Sequence, residues 1–258
     1  MFNLNSVHPS WKECLSRGLA QMDQEYLSQL TASTNWLPGP EKIFNAFSLP
    51  LHQVNYVLFG ESPYPRQVSA NGFAFWDEAV TKLWSETGLD KKVNRATSLR
   101  NILKMLLIAE GKLEKNRATQ AEIAQINKEN YVQTNAELFS NFLAHGVLLL
   151  NATLVLQNGA PQKDARAWYP FTRELLQCLL EKRPQASFIL LGKIANTINA
   201  MLPSNNVKTL YAEHPYNLSF IANDDVLNFF RPLNLLRRPD NTSYDDLPYL
   251  PKKDKVVD

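Results

Sequence analysis

Four places in this chain of 258 residues put polar or reactive side chains at the end of an apolar run. Gly60-Glu61-Ser62-Pro63-Tyr64-Pro65 follows VNYVLFG (54 to 60), and Asn151 stands inside GVLLLNATL (146 to 154). Gly192-Lys193 closes ASFILLGK (186 to 193), and Glu213-His214-Pro215-Tyr216 closes VKTLYAEHP (207 to 215). Carboxylates and an imidazole are the groups that move protons or stabilise developing charge near neutral pH. An amide such as Asn151 in an apolar strand needs a hydrogen-bonding partner wherever it is buried. A single histidine is more commonly structural, and His145, at the end of an expected helix, is read that way. On their residue types alone, Tyr64 and Phe75 read as core aromatics, and Leu218 reads equally as a core or a contact leucine.

The elements that must position these groups are legible as periodicity. The four runs are rich in β-branched, aromatic and leucine residues and nearly continuous in hydrophobicity, as strands buried on both faces are. Between them the pattern turns helical. SLRNILKMLLIAE (98 to 110) puts Leu99, Ile102, Leu103, Leu106 and Leu107 on one face, and FTRELLQCLLEK (171 to 182) does so with Leu175, Leu176, Cys178 and Leu179. The expectation is an α/β fold: a central four-stranded, mostly parallel sheet flanked by helices in three layers. Ligands of such sheets bind beyond the carboxyl ends of the strands. All four polar exits would then share one edge, which becomes the candidate site.

Composition narrows the classes further. With 45% hydrophobic and 20% charged residues the chain is ordinary globular protein, large enough to need no staples. No apolar stretch approaches the roughly 20 residues of a membrane span, and MFNLNSVHPSWKECL has no secretory pattern, so a cytoplasmic protein is expected. Cys14 and Cys178 are too few for a thiolate metal site and are expected to be two buried thiols. The formal charge of +2 permits a nucleic-acid partner without requiring one. We expect one domain over 1 to 238, with a helical insertion around 110 to 135 that includes ATQAEIAQINKEN (118 to 130), and an extended tail over 239 to 258.

Five segments, in order, resemble the classical uracil-DNA glycosylases. LPGPEKIFNAF (37 to 47) is similar to the family's segment before its first strand, and GESPYPRQVSANGFAF (60 to 75) resembles its water-activating loop GQDPYHxxxQAxGLAF without a gap. GVLLLNATL resembles its LLLN strand, SFILLGKIAN (187 to 196) its glycine–serine loop, and HPYNLS (214 to 219) its intercalating loop HPSPLS. The resemblance implies an enzyme that flips deoxyuridine out of DNA and hydrolyses its glycosidic bond. It implies that Phe75 stacks on the base, that the Asn151 amide reads uracil O4 and N3–H, and that Tyr64 excludes a C5 methyl. His214 would hydrogen-bond uracil O2 as the base departs, and Leu218 would enter the stack as a wedge. Ser98, Lys193 and Ser219 fall where the family grips DNA; Thr97 and Ser98 stand at its proline-rich loop, and Lys193 replaces a serine. No cofactor or metal is implied, and the expected partner is uracil-containing DNA, single- or double-stranded, bound by a monomer.

The chain departs from the pattern where the chemistry is done. Ser62 stands in place of the family's aspartate, Glu61 in place of the adjacent glutamine, and Pro65 in place of the histidine. GESP is similar to the GEAP loop of the superfamily's iron–sulphur branch, in which a glutamate stands at this position with no aspartate after it. The expected catalytic set is therefore His214, Glu61 and Ser62. The alternatives are a catalytically impaired relative that binds DNA or protein, and a glycosylase for another modified base.

Overall fold

Each of the four apolar runs forms a strand, trimmed to the part that pairs: β1 (Tyr56–Gly60), β2 (Val147–Asn151), β3 (Ser187–Leu191) and β4 (Thr209–Ala212). The computed structural model describes residues 7–203 and 207–238 together with Phe2 and Leu4. The tail expected over 239 to 258 lies outside the described residues. The sheet order is β2-β1-β3-β4, and every pairing is parallel. Because all four strands run the same way, their carboxyl ends share one edge, as the strand reading anticipates. Register makes the edge specific: Tyr56 opposes Val147, and Gly60 opposes Asn151. All five residues of β2 are buried, which is why this strand reads as an unbroken run rather than an alternation.

Helices cover both faces, and the apolar stripes seen in sequence are the faces they bury. On α4 (Thr97–Ala109) Leu99, Ile102, Leu103, Leu106 and Leu107 are all buried. The stripe expected from 171 is the second half of a longer helix, α7 (Pro161–Lys182), which runs through Pro170. Proline inside a helix removes one hydrogen bond, and here buried Trp168, Phe171 and Leu175, at helical spacing, continue the packed face across it.

The expectation of two buried thiols is corrected. Cys14 on α1 (Lys12–Ala20) and Cys178 on α7 form a disulfide, with their Cα atoms 5.5 Å apart after a sequence separation of 164. The helices approach because α1 presents Gly18 to Phe171: a Cβ there would lie 2.8 Å from the Phe171 ring. Arg17 pairs with Glu174 at 2.7 Å and with Glu181 at 2.6 Å along the same seam. Two cysteines on separate apolar stripes become partners only once those stripes meet, a fact that neither local pattern contains.

Within the stretch expected as an insertion, α5 (Gln120–Gln125) begins with a capping box between Thr119 and Glu122. It is docked rather than free: Ile123 is fully buried, and the Gln120 side chain accepts from Leu89 N–H and donates to Asn94 Oδ1, both at 2.8 Å. No helix among the described residues is long and apolar enough to cross a membrane.

Candidate active site

At the end of β1 the chain places a glycine because no side chain fits. A Cβ on Gly60 would lie 2.4 Å from Asn151 Oδ1 and 2.9 Å from the Ala74 Cβ. The Asn151 side chain thus lies across Gly60 from the neighbouring strand. Asn151 is 3% exposed, and its amide makes no hydrogen bond to another described residue. Asn151 is not among the side chains whose polar atoms are both fully buried and unpartnered, so its amide keeps access to solvent or a ligand.

The loop after β1 brings up the aromatic wall. Ala74 N–H donates to Leu149 O at 3.1 Å, so this segment lies against the outer edge of β2. Phe75 follows with φ of 62°, a left-handed backbone that bulky residues rarely adopt. Such outliers persist where the surroundings hold them, and they concentrate at functional sites. The half-buried Tyr64 donates its hydroxyl to Phe75 O at 3.2 Å, which ties the two aromatic positions together. Burial, reinforced by the Asp77 carboxylate, raises the Tyr64 pKa and keeps the phenol neutral.

His214 enters from β4. Its ring centroid is 5.9 Å from that of Phe75, inclined at 35°. Gly192, at the end of β3, makes room for it: φ is 73° there, and a Cβ would meet the His214 Cβ at 2.7 Å. The main-chain N–H of Tyr216 donates to His214 Nδ1 at 3.1 Å. In the neutral ring this acceptor role leaves the proton on Nε2, which is then free to donate. Burial lowers the His214 pKa from the ordinary imidazole value, and the Glu61 carboxylate opposes that shift without cancelling it. The neutral donor is therefore the resting form at neutral pH.

Asn151, Phe75, Tyr64 and His214 accordingly lie near one another at the carboxyl edge, linked through Gly60 and Ala74, the Tyr64–Phe75 hydrogen bond and the Phe75–His214 ring contact. Glu61 is exposed and near enough to act on His214 through its charge; its carbonyl accepts from Thr153 N–H at 3.0 Å, while Ser62 is half-buried beside it. Leu218 begins a short 3₁₀ helix, Leu218–Ala222, and is 66% exposed, which decides between core and contact leucine. Ser98 lies half-buried in the first turn of α4, and Lys193 is exposed directly before α8 (Ile194–Asn199). The Ser219 side chain helps hold the Glu213 pKa below its ordinary value, and the Glu213 carboxylate accepts from Asn223 Nδ2 at 2.9 Å.

One positioning residue is absent from the sequence reading. Asn101 on α4 is 1% exposed, and its Nδ2 donates to Pro215 O at 2.7 Å and to Asn217 O at 3.4 Å. It holds the loop that carries both His214 and Leu218. The signal was available: an asparagine sits between Leu99 and Ile102 within the stripe of a helix that buries it.

No protein-family model matches the chain. Among curated proteins, the uracil-DNA glycosylase of Pseudomonas entomophila is 30% identical over 225 residues, covering 83% of this chain and 82% of its own length. That of Borreliella burgdorferi is 27% identical over 248 residues, covering 90% and 94%. Among solved structures, the wild-type UNG of Nitratifractor salsuginis is 36% identical with a TM-score of 0.86, covering 92% of this chain and 95% of that one. With these relatives spanning nearly the whole chain and the buried amide, aromatic wall and imidazole at one sheet edge, the chain belongs to the uracil-DNA glycosylase family.

Proposed function

We propose that the protein hydrolyses the N-glycosidic bond of a flipped deoxyuridine with His214, Glu61 and Ser62 as its catalytic groups. Excision of uracil from DNA is the activity of its relatives and the function of this chain. In this reading Phe75 stacks on the base, Asn151 pairs with O4 and N3–H, and Tyr64 occupies the space a thymine methyl would need. Cytosine presents the opposite donor and acceptor pattern to the amide and leaves it unpaired. His214 donates from Nε2 to O2 as negative charge gathers on the departing base, a stabilisation commonly worth about 10²–10³ in rate. Water adds its oxygen to the sugar carbon and releases a proton to solvent, and uracil leaves with the bonding electron pair. Glu61 offsets positive charge on the sugar, and Ser62 positions the water.

The observation that carries this reading is that the carboxyl edge holds both Asn151, whose amide has no hydrogen-bond partner among the described residues, and His214, whose Nδ1 accepts from Tyr216 N–H and so leaves the Nε2 proton to donate. Ser98, Lys193, Ser219 and Leu218 are assigned to DNA, with Leu218 filling the space left by the extrahelical nucleotide. We assign the enzyme to intracellular DNA, as a monomer. Ser62 in the aspartate's place favours a second reading, an impaired DNA- or protein-binding relative or a glycosylase for another modified base.

The test is release of free base from single-stranded and duplex uracil-containing oligonucleotides, identified by mass. Uracil that appears with wild-type protein and is lost in His214→Ala and Asn151→Ala supports the assignment. DNA binding without release supports the second reading. Ser62→Asp then separates the cases: strong activation marks a damaged apparatus, and little effect marks a reorganised one.

A further inference from the structure

The large apolar or aromatic side chains that stand exposed among the described residues are few: Leu4, Val68, Tyr211, Tyr216 and Leu218. Tyr211 is accounted for, because its hydroxyl bonds to Asn199. Tyr216 is 67% exposed, even more than Leu218, and its hydroxyl has no partner among the described residues. The ring's described aromatic neighbour is His214, 6.5 Å away between centroids and inclined at 51°.

This exposure is not that of a loose loop. Asn101 holds the carbonyls on both sides of Tyr216, those of Pro215 and Asn217. The Tyr216 N–H is fixed on His214 Nδ1, and Asn217 N–H donates to His214 O at 2.8 Å. A buried amide and the catalytic imidazole therefore fix the backbone that presents the ring, two residues before the exposed leucine. A phenol ring carries a large flat surface with few rotatable bonds, so presenting it on a fixed backbone lowers the ordering cost of stacking.

We propose that Tyr216 is a second DNA-contacting side chain, a platform on which a base adjoining the flipped nucleotide stacks while Leu218 occupies the gap. This rests on the family reading for its ligand. It adds a contact that is indifferent to base identity, because every base has a π-face. The contact is also available on single strands, where a wedge has no stack to enter.

The experiment measures binding and turnover of wild type, Tyr216→Ser and Tyr216→Phe. The probe for binding is an oligonucleotide, single-stranded or duplex, carrying hydrolysis-resistant 2′-fluoro-deoxyuridine with 2-aminopurine beside it. We expect Tyr216→Ser to raise Kd and KM about tenfold in both forms, with kcat less affected. We expect Tyr216→Phe to match wild type, and the bound 2-aminopurine to be brighter with serine than with either ring. The exposed position keeps the fold intact, which thermal melting of each variant checks. Equal Kd for serine and wild type overturns the proposal. So does a phenylalanine variant as weak as serine, since the contact would then belong to the hydroxyl. Tyr216-dependent binding without uracil release from ordinary substrate leaves this contact standing and removes the catalytic reading. No binding by wild type removes both.

Discussion

The pocket at the strand ends and the loop that follows β4 solve opposite problems. In the pocket the decisive side chain, Asn151, is buried, and its place is cut by what is missing from Gly60. On the loop the decisive side chains, Leu218 and Tyr216, are exposed, and the buried group is the Asn101 amide that holds their backbone. In the proposed reading, Asn151 recognises a base, which requires a polar group that cannot move when the wrong ligand arrives. Leu218 and Tyr216 are proposed to grip DNA, which requires apolar surface that is covered only when DNA is present. The first is therefore sensitive to a single methyl group, and the second tolerates changes in side chain but not in its support.

That contrast can be broken most sharply at Gly60→Ala. The added methyl must displace Asn151, so uracil excision should fall about 10²-fold or more, the scale of a misplacement near 1 Å, in a steady-state assay. A loss under tenfold would mean that the asparagine has slack, and the contrast would fail. Leu218→Ala comes next, with an expected loss of about tenfold on duplex substrate and much less on single strands, since only the duplex demands unstacking. Equal losses on both would remove the wedge role.

Asn101→Ala tests the support itself. Removing the donor leaves two loop carbonyls without it, so thermal or urea melting should show a loss of about 1–3 kcal/mol, accompanied by a higher KM. A stability loss with unchanged KM would make the residue structural alone. The smallest displacement is that of the pH profile in Glu61→Gln, read apart from the fall in plateau kcat expected when the charge on the sugar loses its counter-charge. Burial lowers the His214 pKa and Glu61 raises it, so activity that needs the neutral ring falls as pH drops through that lowered pKa. Removing the carboxylate lowers the pKa further, and the acid limb of kcat against pH should move to lower pH. A limb that stays put or moves upward would show that the two groups do not communicate.

Much of the fold is legible in the sequence. Strands buried on both faces leave an apolar run that sequence displays directly, and the parallel order turns four separate polar exits into one edge. The motif resemblance, not periodicity, singles out Tyr64, Phe75, Asn151 and His214, and the fold places them near one another. What stayed hidden depends on pairs distant in sequence. Asn101 acquires meaning only when α4 packs beneath the loop at 215 to 217, and Gly192 only when His214 lies against it. The joining of Cys14 to Cys178 is of the same kind. The first half of α7 is hidden for a local reason, since Pro170 interrupts a helix that its packed face nevertheless sustains.

The bond between α1 and α7 also divides the chain into a ring, a short stretch before Cys14 and a long arm after Cys178. Residues 14 to 178 close on themselves, enclosing β1, β2, Phe75 and Asn151, whereas β3, β4, His214 and Leu218 hang outside. A protease cut anywhere inside the ring leaves both fragments covalently joined. A cut between Cys178 and His214 leaves two fragments with no covalent link, so that Asn151 and His214 stay in one particle only through packing and the pairing of β1 with β3.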